Sequence, residues 1–481
     1  MNFKMVSYFL GWVLKIEAVA MAIPFVISIC CKEDSWIWFL TAIAICLVFG
    51  IPMSAKTNKG SFYAREGHVI TALGWIFLSL IGALPFYLSG KIPSYLDAVF
   101  EIVSGFTTTG STILPAVEPL GYGLLFWRSF SHWLGGMGVL VLLLSLLPAN
   151  GGYNMQIMKA ESPGPAVSKL VPKVRDTAKY LYLIYLGMTC AAAILYLISG
   201  MPLFDSICIA FGTAGTGGFA VKDSGMADYG RISQVLITIF MILFGVNFNV
   251  YFLMLRKKWK DALKCEEVRV YLILIAVFTA VFTWVLFHQV PEEGFWYALH
   301  HSAFTVGSLI TTTGFGTVDF SFWPEFARFI VLFIMFCGAC AGSTGGGFKV
   351  SRLLIILKEA RTELHLLVHP NSLRPIRLEG KPLDNDVLRS VNHYFIIYVS
   401  IIVLSVLVVS FDGFGIETTI SAVFATFNNI GPGLAHVGPY ENFAAFSGLS
   451  KIVLIFDMIA GRLEIIPMLM LLSPKTWTKH F

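Results

Sequence analysis

Leu96-Asp-Ala-Val-Phe-Glu-Ile-Val-Ser-Gly-Phe-Thr-Thr-Thr-Gly110-Ser111 opens as an apolar helix and runs straight into hydroxyl residues and a glycine. Crossing a bilayer core takes about 20 apolar residues, so this stretch is too short to span and long enough to dip in. Three further stretches share its frame: 204–219, 296–316 and 417–433. Each pairs a short apolar helix with a glycine-ended quartet: Thr-Thr-Thr-Gly110, Gly-Thr-Ala-Gly215, Thr-Thr-Thr-Gly314 and Asn-Asn-Ile-Gly431. A repeat found this way governs the whole fold assignment. Non-helical backbone at membrane depth must line a wet cavity or be buried in protein, so four such loops point to one shared axis.

The rest of the chain agrees with a membrane setting. Only 13% of its 481 residues are charged, against about 25% in an ordinary soluble domain. A formal net charge of +5 and 56% hydrophobic residues exclude a disordered chain and a nucleic-acid-binding domain. The eight cysteines lie mostly in apolar stretches, lack zinc-site spacing, and read as packing residues; Cys337 and Cys340 have no βαβ context for redox chemistry. Hydropathy places spans near residues 5–30, 36–53, 69–89, 128–147, 179–199, 232–255, 270–288, 326–357, 392–410 and 449–472, the first retained rather than cleaved. Lys15 and Glu17 within the first suggest an end or an interior face.

An even number of spans puts both termini on one side. Basic residues gather in alternate connections: Lys56, Lys59 and Arg65; Lys159, Lys169, Lys173 and Arg175; Arg256 to Arg269; and Arg352 to Arg389. The segments 289–327 and 411–448 contain no Lys or Arg. The positive-inside rule therefore makes the basic connections and both termini cytoplasmic and the re-entrant segments external. The expected architecture is an all-α polytopic membrane protein: a leading transmembrane pair (1–60), then four helix, pore-loop, helix repeats at 61–150, 151–260, 261–365 and 366–481, around one axial pore per protomer.

A dehydrated monovalent cation needs a ring of oxygens in place of its hydration shell, and four converging glycine loops supply one. Glycine allows the backbone angles that turn successive carbonyls one way. The residues expected to form this ring are Thr108, Thr109 and Gly110; Thr213, Ala214 and Gly215; Thr312, Thr313 and Gly314; and Asn429, Ile430 and Gly431. Asp97, Glu101, Asp205, Asp223, Asp228, Glu292, Glu293, Asp319, Glu325, Asp412, Glu417 and Glu441 give the outer connections an acidic excess that would concentrate cations.

Two anomalies lie deeper. The eighth span is broken by Gly338, Gly342, Ser343, Thr344, Gly345, Gly346, Gly347 and Lys349. Three consecutive glycines cost a helix about 1 kcal/mol each, so the break reads as a flexible intramembrane gate, or else a permanently kinked packing site. It is not a phosphate loop, because Phe348 separates Gly347 from Lys349 and no strand precedes it. Arg462, in the tenth span, reads either as a positive barrier in the pore or as one half of an ion pair with Glu464 or Asp457. His132, His300, His301, His393 and His436 fall in no catalytic order, so the chain is not expected to be an enzyme.

Taken together, the four loops, the glycine-rich break and the lone arginine closely resemble the TrkH family, membrane subunits of the bacterial Trk potassium-uptake system, in the superfamily with the Ktr and plant HKT transporters. The resemblance covers the full length, leading pair included. It implies potassium as the transported ion, a homodimer with one pore per protomer in the bacterial inner membrane, and no organic cofactor in this chain. It also implies a cytosolic TrkA-like nucleotide-binding ring as partner, carrying any NAD, ATP or ADP. Gly110, Gly215, Gly314 and Gly431 take the family's filter positions, residues 338–349 its gating loop and Arg462 its pore arginine. Sodium-favouring relatives typically carry Ser at the first of these, so Gly110 argues for potassium. The competing mechanism is a proton- or sodium-coupled symporter with alternating access, but repeats running in one orientation favour an axial pore.

Overall fold

The computed structural model describes residues 1–55, 63–138, 174–371 and 375–478. Lys56, Lys59, Lys159, Lys169, Lys173, residues 139–147 of the expected fourth span and the boundaries at 60/61 and 150/151 lie outside the described residues. Six described helices are long and apolar enough to cross a membrane.

The leading pair, Phe3–Cys30 and Ser35–Ser54, is an antiparallel hairpin whose backbones meet at two glycines. A Cβ on Gly11 would lie 2.8 Å from the Gly50 carbonyl oxygen and 2.7 Å from the Ser54 nitrogen. Small residues give this close approach where lipid provides no hydrophobic drive for helices to associate. Glu17 is buried beside Cys46, with Sγ and Oε2 3.7 Å apart, so it occupies an interior face. Lys15 stays half-buried over the Trp12 ring.

The four repeats follow in order. Each starts with a long helix: Ala64–Gly82 continued by Leu84–Leu88, then Val174–Ile198, Glu266–Gln289 and Asn385–Val409. Each then has a re-entrant helix: Tyr95–Phe106, Leu203–Gly215, Gly294–Ile310 and Ile416–Phe427. Asp97, Asp205 and Glu417 occupy first turns of these helices, where a carboxylate complements the helix dipole. These acids from the expected outer excess thus have local structural work.

The second long helix of every repeat is interrupted or ends at a similar point, which hydropathy anticipated only for the eighth span. Tyr122–Gly136 stops two residues before Gly138, which is at φ +80°. Arg231–Phe244 and Phe248–Leu255 meet at 90° across Gly245-Val246-Asn247, and the Asn247 side chain accepts from the Asn249 N–H to cap the new helix. Glu325–Cys337 gives way to a loop before Val350–Val368. Gly448–Arg462 turns through Glu464 and Ile465, both at positive φ, into Ile466–Leu472, where Pro467 suits the first turn. Apolar residues flank each of these breaks closely, so a hydropathy window averages over them.

Among the described residues, one small departure from an all-α chain lies in the basic connections. Arg377–Leu378 and Lys381–Pro382 pair antiparallel, with Arg377 opposite Pro382. Glu379 and Gly380, at φ +53° and +78°, make the tight turn such a hairpin requires.

The leading hairpin yields the first prediction. Gly11→Val should overpack the pair and cost about 1–3 kcal/mol, read as a lower melting temperature of detergent-solubilised protein. An unchanged melting temperature would show that the pair is not held at this contact.

Candidate functional site: four loops and the segment packed against them

The re-entrant helices end in four loops that share one backbone conformation. Thr108, Thr216, Thr312 and Asn429 are left-handed, with φ between +54° and +59°. Two residues later come Gly110, Gly218, Gly314 and Gly431, at φ +86°, +77°, +86° and +101°. Matching hydrogen bonds fix the register: Thr109 N–H to Ser104 O, Gly217 N–H to Gly212 O, Thr313 N–H to Ser308 O and Ile430 N–H to Ala425 O, all 2.8–2.9 Å.

This corrects the expected second loop. Thr213, Ala214 and Gly215 are the last helical residues, and the Thr213 hydroxyl bonds back to Ile209 O at 2.8 Å. Thr216, Gly217 and Gly218 take the positions equivalent to Thr108, Thr109 and Gly110. The sequence offers two glycines three residues apart, Gly215 and Gly218, and each ends a plausible quartet. Gly215 is glycine because a Cβ there would strike the His132 carbonyl.

The loops close a ring. A Cβ on Gly110 would collide with the Gly217 oxygen, on Gly218 with the Thr313 oxygen, on Gly314 with the Ile430 oxygen, and on Gly431 it would come 2.7 Å from the Thr109 oxygen. Each glycine therefore meets the carbonyl of the next loop, and the fourth returns to the first. All four line one cavity of about 100 Å³ on the re-entrant side, together with Asp223 and Glu441.

Side chains brace the ring from behind. Hydroxyl pairs Thr107/Thr109 and Thr311/Thr313 lie 2.8 and 2.7 Å apart. Asn429 Nδ2 donates to Thr109 Oγ1 and to Met458 O, both at 2.9 Å, and Tyr398 donates to Asn428 Oδ1 at 2.6 Å. Thr108 Oγ1 and Asn429 Oδ1, at the same position in adjacent loops, are buried oxygens with no hydrogen-bond partner among the described residues. Their chemistry suits a hard cation.

Sequence reasoning missed a second layer of support. Glu101, counted with the outer acids, is fully buried against Arg128, at 2.5 Å from Nε. It also accepts from the Ile113 N–H at 2.8 Å, while Arg128 Nη1 donates to Ala220 O at 2.9 Å. Other outer acids are also engaged: Asp97 with Lys451, Asp205 with Tyr229, and Glu417 with Arg328. The signal available was the isolated charge of Glu101 and Arg128 inside apolar windows, since such residues need a partner.

The glycine-rich segment lies directly against the other side of the ring. Gly346 N–H donates to Thr312 Oγ1 at 2.6 Å, and a Cβ on Gly346 would strike the Asn428 oxygen. Gly338, Gly342, Gly347 and Lys349 all have φ between +69° and +79°. Lys349 Nζ donates to Gly345 O. Glu267 accepts from Ala341 N–H at 2.6 Å and Ser351 N–H at 3.1 Å, so one buried carboxylate holds both ends of the segment. Cys340 N–H to Gly245 O and Phe248 N–H to Gly342 O tie it to the 90° bend.

Arg462 makes neither of the ion pairs considered for it. Glu464 pairs with Arg352, which stacks 3.8 Å from the Tyr394 ring centre, and Asp457 accepts from Ser405 at 2.8 Å. Among the described residues Arg462 donates instead to carbonyls, including Thr344 O at 2.7 Å, Gly135 O at 2.7 Å and Gly136 O at 2.6 Å. It thereby links the glycine-rich segment to the end of Tyr122–Gly136 beneath the ring.

Known proteins match this chain along nearly its whole length. Residues 37–479 match the family model TrkH, described as a cation transport protein. The chain belongs to the TrkH family. The Trk system potassium uptake protein TrkH of Salmonella typhimurium is 34% identical over 488 residues, covering 99% of this chain and all of that protein. TrkG of Escherichia coli is 32% identical, covering 98% of each. The crystal structure of the potassium transporter TrkH from Vibrio parahaemolyticus superposes with a TM-score of 0.89 at 31% identity, covering 99% of this chain and all of that one. The likeness extends through both the leading pair and the four repeats, so the TrkH fold accounts for the whole described chain.

The buried pair behind the ring gives the second prediction. Arg128→Met leaves Glu101 buried without its cation and should cost about 3–5 kcal/mol, seen as a large drop in melting temperature. Adding Glu101→Leu should recover much of that loss; no recovery would mean that Arg128 acts chiefly through Ala220.

Proposed function

We propose that this protein takes up potassium through the four-loop ring, acting as a selectivity filter reached from outside the cell. The observation that carries the reading is the closed cycle of glycine-to-carbonyl contacts. In this reading the filter residues are Thr108, Thr109 and Gly110; Thr216, Gly217 and Gly218; Thr312, Thr313 and Gly314; and Asn429, Ile430 and Gly431. A ring of backbone oxygens held at fixed spacing replaces the hydration shell of one cation size better than another. Thr108 Oγ1 and Asn429 Oδ1, buried oxygens without a hydrogen-bond partner among the described residues, are further candidate oxygens for the ion. Asp223 and Glu441 at the mouth raise the local cation concentration. The membrane potential supplies about 2.3 kcal/mol per charge for each 100 mV, enough to drive net inward movement.

The segment 338–349 acts as the gate and Arg462 as the barrier beneath the filter. Opening breaks the Gly346 to Thr312 and Arg462 to Thr344 bonds, each worth on the order of 1 kcal/mol net, or somewhat more where a charge takes part. That sum lies within reach of a regulatory partner. The basic connections at 256–269 and 358–389 are the docking surface we assign to a cytosolic nucleotide-binding subunit. The transporter works as a homodimer in the bacterial inner membrane with both termini inside, each protomer keeping its own pore.

Rubidium uptake into proteoliposomes, with sodium as competitor, tests the filter. Gly110→Ser places a Cβ against the Gly217 oxygen and should lower potassium-over-sodium preference about tenfold, equivalent to about 1.4 kcal/mol. An unchanged preference would remove the ring from the selectivity mechanism. In the same assay, deleting Gly345 to Gly347 should raise basal flux without the partner subunit; unchanged flux would reduce the segment to a packing kink.

A further inference from the structure

We propose that His132 is a positioning residue for ion selectivity, supplying to the second loop of the ring the brace that this loop's own sequence lacks. The proposal rests on the ring being the filter. Loops one and three each carry an internal hydroxyl pair, and loop four is held through Asn428 and Asn429. At the corresponding positions loop two has Gly215, Thr216 and Gly217. Two of these have no side-chain donor or acceptor, and the Thr216 hydroxyl turns back to the Gly215 oxygen at 2.6 Å. Its support therefore comes from elsewhere.

His132 lies on Tyr122–Gly136, in the first repeat, and is fully buried. Its Nδ1 is 2.7 Å from Gly105 O, and its Nε2 accepts from the Phe219 N–H at 3.2 Å. A carbonyl requires a donor and an N–H requires an acceptor, so both bonds form together only in the neutral imidazole carrying its proton on Nδ1. Gly105 O also accepts from Thr108 N–H, which places one end of the imidazole on the left-handed turn of loop one. Phe219 follows Gly218 directly, which places the other end on loop two. The imidazole thus sets the spacing between the two loops that meet at the Gly110 to Gly217 contact.

The glycine at 217 supports the same conclusion. Its φ is ordinary, so backbone freedom does not require glycine there; a Cβ would instead run into the imidazole ring. The Phe219 ring packs 4.2 Å from the imidazole, centre to centre, and the Arg128 guanidinium covers Phe219 at 3.5 Å. One helical turn before His132, Arg128 holds Ala220 O, so one helix grips two consecutive residues after the loop-two glycine.

The test is competitive rubidium and sodium uptake by the full-length protein in proteoliposomes, normalised to folded transporter. His132→Leu fills the space without either hydrogen bond and should lower potassium-over-sodium preference about tenfold. His132→Gln offers one amide donor and one acceptor and should keep most of that preference. If the Leu variant is not recovered folded, His132→Asn, whose shorter amide reaches only one partner, carries the same expected loss. A preference that stays at the wild-type value in the Leu or Asn variant, with only yield or melting temperature reduced, overturns the proposal and leaves His132 a packing residue. Gly110→Ser is run alongside. If it too leaves the preference unchanged, the filter reading fails and this proposal falls with it; if it lowers the preference while His132→Leu does not, only the His132 brace is lost.

Discussion

Backbone at membrane depth that leaves its helix must find new partners, and in this protein the four departing loops find one another. Each glycine α-carbon rests against the carbonyl oxygen of the next loop, and the cycle closes after four steps. No single loop could hold this conformation, because Thr108, Thr216, Thr312 and Asn429 are all left-handed without being glycine. That geometry costs free energy at each position and persists only where surroundings over-determine it. The long helices, re-entrant helices and buried side chains serve that requirement.

The supports are not four-fold even though the ring is. Loops one and three use threonine hydroxyls, loop four uses asparagine amides, and loop two borrows His132 and Arg128 from the first repeat. Beneath the ring the asymmetry is stronger. Among the described residues, the third repeat alone sends a glycine-rich segment beneath the ring, where Glu267 holds its two ends and Arg462 fastens its middle to the first repeat. A single chain with diverged repeats can place one such segment under a symmetric ring, which four identical subunits could not do.

Much of this was legible in the sequence. Three of the four short apolar stretches, those ending in Gly110, Gly314 and Gly431, align by pattern alone, since a hydroxyl or amide run precedes each glycine. The second loop was misaligned because Gly215 and Gly218 both end plausible quartets, and only packing against His132 and Thr313 distinguishes them. The bends at Gly245 and Glu464 escaped for a related reason: hydropathy averages over a window, whereas a bend depends on two or three backbone angles. Arg462 is anomalous by sequence, but the Thr344, Gly135 and Gly136 carbonyls that it holds carry no signature in residue identity. Glu267 was invisible as well, one acid among several at the start of a helix.

The most direct test of the account is anomalous scattering from rubidium diffused into crystals of this protein. The expected result is a peak on the ring axis, coordinated by the carbonyl oxygens of Thr109, Gly217, Thr313 and Ile430. Peaks confined to the outer mouth, or centred on the level of Gly215, would contradict it.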